Sequence, residues 1–298
     1  MVHHKVCPLC LSGNISLHLR CTDHYISKEV FEVNKCMECG FQFTQDYPED
    51  SEIGKYYESE DYISHSDTAK GFSNKLYRLA RKIMLRRKLS IIRKFTGLNK
   101  GSLLDIGSGT GHFADTMRKA GWQVRGIEIN EKARRYATST FGVEILGPEN
   151  ISTIQTGSFD CITLWHVLEH FHDPDWYFSQ IARLLKSDGK IVIALPNCGS
   201  FDASHYKENW AAWDVPRHIW HFNPVSFALF AKQRGYTVQM KRYLPFDVFY
   251  ISILSERQRG SLIPLPAGMF RGLIFSLKTL FNTDRGSSLV YVLKREGS

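Results

Sequence analysis

From residue 102 onward, apolar runs and helical patterns alternate along the chain. SLLDIG (102–107) is an apolar run ending on a glycine, and HFADTMRKAG (112–121) has a helical pattern closed by Gly121. WQVRGIEIN (122–130) predicts a second strand, EKARRYATSTFG a second helix stopped by Gly142, and VEIL (143–146) a third strand. FDCITLWHV (159–167) is the fourth strand, DPDWYFSQIARLLKSDG (173–189) a helix with a glycine end, and KIVIALPN (190–197) the fifth strand. PVSFALFAKQRG predicts a helix, and YTVQMKRYL and SSLVYVLKRE two closing strands. Such alternation makes βαβ units, so the expected class is α/β: a doubly wound, mostly parallel sheet with helices on both faces. Segments 198–222 and 245–285 break the pattern and are the natural places for substrate-specific structure.

Upstream the pattern differs. Residues 72–95 place Leu76, Leu79, Ala80, Ile83, Ile91, Ile92 and Phe95 at helical spacing, which predicts a long amphipathic helix. Residues 45–70 are acidic and tyrosine-rich, like a connector. The expected domains are a cysteine-bearing module at 1–45, a connector and basic helix at 46–98, and the α/β domain at 99–298.

Charge changes this picture in one place only. The formal net charge is +8, yet residues 75–94 hold nine Lys and Arg and no acid, so the remainder is nearly neutral. A global nucleic-acid binder does not follow from that. No uninterrupted apolar run reaches the roughly 18 residues of a membrane span, and MVHHKVCPLC has no secretory apolar region. The expected compartment is the cytoplasm, where paired cysteines favour metal over disulfides.

Four cysteines do form pairs. Cys7-Pro-Leu-Cys10 and Cys36-Met-Glu-Cys39-Gly40 stand 25 residues apart. Two such knuckles supply four thiolates, which suits tetrahedral, structural Zn2+.

The chemistry-bearing loop is Asp105-Ile-Gly107-Ser108-Gly109-Thr-Gly111, at a strand end that opens a helix. Glycines there allow close approach of backbone to a ligand, and the helix start offers N–H groups. The dinucleotide fingerprint would need glycine at 112, where this chain has His112. The run is instead G-x-G-x-G, preceded by an acid and followed by Glu128 after the second strand. With the V-L-E-H stretch inside FDCITLWHVLEHFHDP, this resembles the class I S-adenosylmethionine-dependent methyltransferases. The resemblance implies a Rossmann-like, seven-stranded sheet and S-adenosylmethionine as cofactor. It implies that Gly107, Ser108, Gly109 and Gly111 underlie the methionine part, that Asp105 acts on the amino group or through a water, and that Glu128 with Ile129 holds the ribose side. Trp165 and His166 would line the pocket. The acid or amide with which the family reads the adenine after the third strand has no clear counterpart in GPENISTIQTGSFD, where Glu149 and Asn150 stand nearest. The cysteine module resembles the zinc ribbon that precedes such domains in bacterial sugar and secondary-metabolite enzymes, where Tyr56, Tyr57 and Tyr62 would fold over the donor.

Acceptor chemistry asks for a base, and histidine is the default. One cluster is His166-Val-Leu-Glu-His170-Phe-His172; the other is Asp214-Val-Pro-Arg217-His218-Ile-Trp-His221-Phe, which resembles a P-R-H-x-x-H-F signature of bacterial methyltransferases. His218 is the expected base or orienting group, with Arg217, His221 and His166 beside it. A helix-start motif explains His218 and His221 equally well. Aromatics at Phe201, Tyr206, Trp210, Trp213 and Trp220 fit either a lid core or a stacking surface. Segment 262–281 sets Phe270, Leu273, Ile274, Leu277 and Phe281 on one face, which fits a lid, a dimer face or an interfacial anchor.

The expected function is methylation, on O or C, of a small-molecule acceptor such as a sugar, cell-envelope precursor or secondary metabolite. RNA methylation through the ribbon and basic helix, and a non-catalytic donor-binding scaffold, are the alternatives. The partners that follow are that acceptor, RNA, a peripheral membrane or lipid-linked substrate, and a second copy of the chain.

Overall fold

The apolar runs of the α/β part pair into one seven-stranded sheet. In the computed structural model, which describes residues 1–57 and 72–297 and only the backbone of 72–79, its order is β10-β11-β8-β7-β4-β5-β6. The strands are β4 (Ser102–Ile106), β5 (Gln123–Ile127), β6 (Glu144–Leu146), β7 (Phe159–Trp165), β8 (Leu185–Pro196), β10 (Tyr236–Tyr243) and β11 (Ser288–Arg295). β6, β5, β4, β7 and β8 run parallel, while β11 is antiparallel to both β8 and β10. The chain leaves β4 in one direction and returns through β7 on its other side, which opens a crevice at the carboxyl ends of these two strands.

The helices form where the spacing predicts them, except Phe201–Tyr206 and Asp247–Gln258, which arise inside the irregular 198–222 and 245–285 segments. The helices are α1 (Phe72–Thr96), α2 (His112–Lys119), α3 (Glu131–Phe141), α4 (Pro174–Leu184), α5 (Phe201–Tyr206), α6 (Pro224–Gln233), α7 (Asp247–Gln258) and α8 (Pro264–Phe281). Ile92 of α1 is fully buried in a core with Leu103, Trp165, Val192 and Val290. α3 is capped by the Asn130 side chain, which accepts from the Ala133 N–H, and ends on Gly142 at φ 64°.

One boundary differs from expectation. The helix expected over 173–189 stops at Leu184, because Leu185 already lies in extended conformation and pairs with Phe159. The next pair is Cys161 with Lys190, so residues 186–189 loop out as a bulge. Gly189 closes that bulge against Leu185, where an added Cβ would stand 2.6 Å from its Cγ.

The N-terminal segment forms a second, antiparallel sheet of β1 (Ile15–Thr22), β2 (Val30–Cys36), β3 (Gln42–Gln45) and β9 (Trp220–His221). Its fourth strand comes from the distant 198–222 segment, with Phe43 opposite Trp220. Phe41, Phe43 and Tyr47 share one core with Trp220, Phe222 and the strands of the large sheet. A unit this small buries too little surface to stand alone, and this shared core supplies the rest.

A buried ion pair locks the same junction. Arg217 donates to Asp23 Oδ1 at 2.9 Å, to Asp214 Oδ1 at 2.7 Å and to the Tyr56 carbonyl at 3.0 Å. The Arg217 and Asp23 side chains are wholly buried. Removing one partner of such a pair strands a charge, so Arg217→Ala is expected to cost about 3–5 kcal/mol of stability. Denaturant unfolding measures this; an unchanged midpoint would show that the pair contributes nothing.

Candidate active site

The glycine loop is shaped by its neighbours at two of its three glycines. An added Cβ at Gly107 would meet Val167 Cγ2 at 2.2 Å, and at Gly111 it would meet Ala137 Cβ at 2.6 Å. At Gly109 it would meet nothing within 4 Å. All three have positive φ, at 73°, 52° and 79° for Gly107, Gly109 and Gly111, which favours glycine throughout. The open side of the loop is therefore at Gly109. Its N–H donates to Glu128 Oε2 at 2.7 Å, while Glu128 Oε1 accepts from the Asn130 N–H at 2.9 Å. The loop and the acid are thus adjacent, as a ribose-and-methionine cradle requires, and these residues fit the donor. Ser108 is buried and its hydroxyl donates to the Asp105 carbonyl at 2.7 Å. Ile129 is 79 % exposed at the rim.

Asp105 lies beneath this loop, 2 % exposed, and accepts from the Thr163 hydroxyl at 2.6 Å. Burial pushes its carboxyl up to about 6, against the pull of Thr163 and of the Lys88 ammonium. Lys88 reaches over the Trp165 ring at 4.1 Å, and burial pushes it down to about 8 against the attraction of Asp105 and Asp247. Ionised Asp105 burdens the folded state, fully above pH 6 and not at all below the unfolded value of 3.8. Asp105→Asn is therefore expected to stabilise the protein by about 2–3 kcal/mol at neutral pH. The gain fades as pH falls from 6 to 4, and thermal melts across that range would read it.

His166, expected on the acceptor side, leaves β7 with φ 59°. Its Nε2 is 3.2 Å from Asp247 Oδ2 and its Nδ1 3.6 Å from Glu169 Oε1. Burial disfavours the imidazolium, but these two carboxylates outweigh it and raise His166 to about 9. Glu169 is 1 % exposed, and neither oxygen has a hydrogen-bond partner among the described residues. Ligand atoms of Glu169, His170 and His218 all come within 4.8 Å, a donor set that suits a divalent cation. His218 Nδ1 donates to the Ala212 carbonyl at 2.8 Å, and its Nε2 is 3.8 Å from Asp214 Oδ2. His170 packs edge-on against His218 at 4.5 Å, and burial and that neighbour lower it to about 4.

Arg217 and His221, expected beside His218, are buried in the junction with the N-terminal sheet. Arg217 is held by the partners described above and shares Asp214 with His218. His221 is 4 % exposed, and its Nε2 donates to Thr44 Oγ1 at 2.9 Å; that hydroxyl in turn donates to the His218 carbonyl at 2.7 Å. The 198–222 aromatics are core rather than a stacking surface. Trp210 Nε1 donates to Asp202 at 2.7 Å, Trp213 Nε1 to the Lys207 carbonyl at 2.7 Å, and Trp220 Nε1 to the Phe171 carbonyl at 2.7 Å. Trp165 is likewise buried, edge-on to Phe113. Tyr56 is buried and donates to Glu29, whereas the Tyr57 hydroxyl meets His170 Nδ1 at 3.1 Å; Tyr62 lies outside the described residues. After β6, Asn150 Nδ2 donates to Glu149 Oε1 at 2.9 Å.

Lys88 and Asp247 escaped the sequence reading. Lys88 had a signal: it stands three residues after Leu85 and four before Ile92, on the face of α1 that packs inward. Asp247 had none beyond its place in the irregular 245–285 segment.

In the N-terminal module, Cys7, Cys10, Cys36 and Cys39 gather with their sulfurs within 4.8 Å of one another. Cys7 Sγ is 3.7 Å from Cys39 Sγ, and Cys10 Sγ 3.5 Å from Cys36 Sγ. Zn–S bonds of about 2.3 Å in a tetrahedron put sulfurs roughly 3.8 Å apart, so the thiols fit structural zinc. Gly40 follows one knuckle at φ 71°, and Leu11 takes the same left-handed place after the other at φ 62°.

Comparison with known proteins agrees with this geometry. The model of a methyltransferase domain matches residues 77–240. A ubiquinone biosynthesis O-methyltransferase from Albidiferax ferrireducens is 34% identical over 103 residues, 32% of this chain and 41% of that protein. Its counterpart from Xanthomonas oryzae pv. oryzae is 33% identical over 102 residues, 32% of this chain and 43% of that protein. The chain thus matches less than half the length of these relatives. Among solved structures, phosphoethanolamine N-methyltransferase 2 of Haemonchus contortus, in complex with S-adenosyl-L-methionine, gives a TM-score of 0.53 at 18% identity, covering 85% of this chain and 61% of that one. Magnesium protoporphyrin IX methyltransferase from Synechocystis gives 0.53 at 12% identity, covering 83% of this chain and 100% of that one. These likenesses carry the fold. With a domain model matched over more than half its length, the chain belongs to the methyltransferase domain family, of the class I, S-adenosylmethionine-dependent type.

Proposed function

We propose that this protein transfers a methyl group from S-adenosylmethionine to an oxygen or carbon of a small molecule: a sugar, a cell-envelope precursor or a secondary metabolite. The observation that carries this reading is the convergence of Gly109, Glu128, Asp105 and the His166–Asp247 pair at the carboxyl ends of neighbouring strands. The donor, when bound, supplies an electrophilic methyl on a sulfonium. Glu128 accepts from its ribose hydroxyls, the stretch Gly107–Gly111 underlies its methionine part, and Asp105 attracts its ammonium.

The name of the curated relatives supports a hydroxyl acceptor, whose methylation releases one proton. His218 gives its Nδ1–H to Ala212, which leaves Nε2 with the lone pair to take that proton, 3.8 Å from Asp214 Oδ2. His166, held cationic by two carboxylates, attracts the acceptor oxygen. Purified protein is incubated with methyl-labelled donor and a panel of sugar, phenol and envelope-precursor hydroxyls, and products are read by mass spectrometry. Labelled product is expected, with His218→Gln lowering kcat more than KM. Tight donor binding with no transfer to any acceptor would support the scaffold reading instead.

One observation favours RNA as a second reading. A groove of about 970 Å3 between α1, α2 and α3 is lined by Arg81, Lys82, Arg86, Arg93 and Lys119. A gel shift with structured RNA that weakens steeply with salt would sustain it.

A further inference from the structure

The α7–α8 hairpin presents an apolar face that none of the described residues covers. Segment 262–281 holds nine of the twenty exposed large hydrophobic side chains among the described residues. Leu262 is 98 % exposed and Phe281 93 %, and Phe270, Leu273, Leu277 and Leu280 lie between them. On α8 these positions fall in one arc of roughly 160° at 3.6 residues per turn, along a helix of about 27 Å. The arc is not a sign of loose packing. The opposite face of α8 is fully used: Gly268 and Gly272 let it approach α7 so closely that an added Cβ would stand 2.5 Å from Ile253 Cα and 2.7 Å from Phe249 Cδ1. Phe275 and Thr279 are buried beside them.

Cations predominate around this face, and the acids that bound it, Glu256 and Asp284, are paired with Arg271 and Lys241. From 257 to 283 the chain contains no Asp or Glu, and its cations are Arg257, Arg259, Arg271 and Lys278. Arg271 is tied to Glu256 at 2.8 Å, while Arg257 and Lys278 are exposed. Arg271 and Lys278 lie just off the apolar arc, where long cationic side chains can lie along an apolar surface and reach phosphate. A second copy packed face to face would bring the same cations against these. No helix among the described residues is long and apolar enough to cross a membrane, so a lipid-facing α8 lies along the surface.

We infer that the exposed face of α8 docks on the surface of an anionic phospholipid bilayer. Leucine and phenylalanine side chains enter the acyl boundary, and the flanking cations hold lipid phosphates. The test uses the full, zinc-loaded chain and co-sedimentation with vesicles of phosphatidylcholine, with and without phosphatidylglycerol. Binding is expected to the anionic vesicles and to weaken with salt. The double variant Leu273→Glu/Leu277→Glu is expected to lower it at least tenfold, roughly the loss of two partly buried leucines. Both positions are about half exposed, so the melting temperature should stay unchanged. A second variant, Arg257→Glu/Lys278→Glu, is expected to remove the preference for anionic vesicles. Failure to bind either vesicle, or equal binding by parent and the leucine variant, overturns the inference. So does a dimer in solution that the leucine variant renders monomeric, because a second copy then covers this face.

Discussion

Replacing Glu128 with alanine is expected to weaken S-adenosylmethionine binding by roughly two to four orders of magnitude. A carboxylate that accepts two hydroxyls makes two charge-assisted hydrogen bonds, each worth about 1.5–3 kcal/mol, and about 1.4 kcal/mol is a factor of ten. A further loss comes from the loop itself. Glu128 holds the N–H groups of Gly109 and Asn130, so its removal frees the open end of the glycine turn and the start of α3. Calorimetric titration of donor into the variant gives the affinity, and Glu128→Gln divides the two contributions. Glutamine keeps one acceptor and should recover part of the loss. An alanine variant within a factor of three of the parent would mean that the ribose lies elsewhere, and the assignment of this crevice to the donor would fall with it.

Cys36→Ser, or removal of metal by a strong chelator, is expected to unfold more than the N-terminal sheet. Structural zinc in isolated fingers contributes about 10–16 kcal/mol at neutral pH, nearly all of it as folding free energy. Here the module's Phe41 and Phe43 lie in one core with Trp220 and Phe222. Withdrawal of the metal therefore loosens the segment that carries His218, although the thiols are far from the donor loop in sequence. The melting temperature is expected to fall by roughly 10 °C or more. Trp220 fluorescence should shift to the red as its indole leaves the core. Acceptor turnover should fall before donor affinity does, because the donor cradle belongs to β4 and β5. If chelation leaves the melt and the emission untouched, the four thiols hold the fold without a metal.

The donor half was legible because its determinants are local. Strand, turn and helix around Asp105–Gly111 follow each other within a dozen residues, and Glu128 ends the next strand. The cysteine pairs were legible for the same reason, since knuckle spacing is written in adjacent residues. What escaped depends on partners far away in sequence. Arg217 reads as a cation beside two histidines, and only the fold brings Asp23 against it. β9 is two residues long, too short to show a period, and exists because β3 offers it an edge. The end of α4 at Leu184 was hidden because helical periodicity runs on into LKSDG, while pairing with Phe159 claims Leu185 for the sheet. His166 shows the same limit from the chemical side: its place after β7 is set locally, but its charge is set by Asp247, eighty-one residues on.

The strand exchange between the two sheets also bears on how the chain is made. Phe43 pairs with Trp220, so the first-synthesised sheet lacks its last strand until residue 221 has left the ribosome. At roughly 5–20 residues per second, that is a wait on the order of ten to forty seconds. Through that interval Phe41 and Phe43 have no Trp220 or Phe222 to cover them, and the edge of β3 is unpaired. The thiol knuckles can close in the meantime, since both lie within the first forty residues. Zinc delivered during synthesis would then hold a half-built sheet in register for a strand that arrives last, which makes metal supply at the ribosome a determinant of yield.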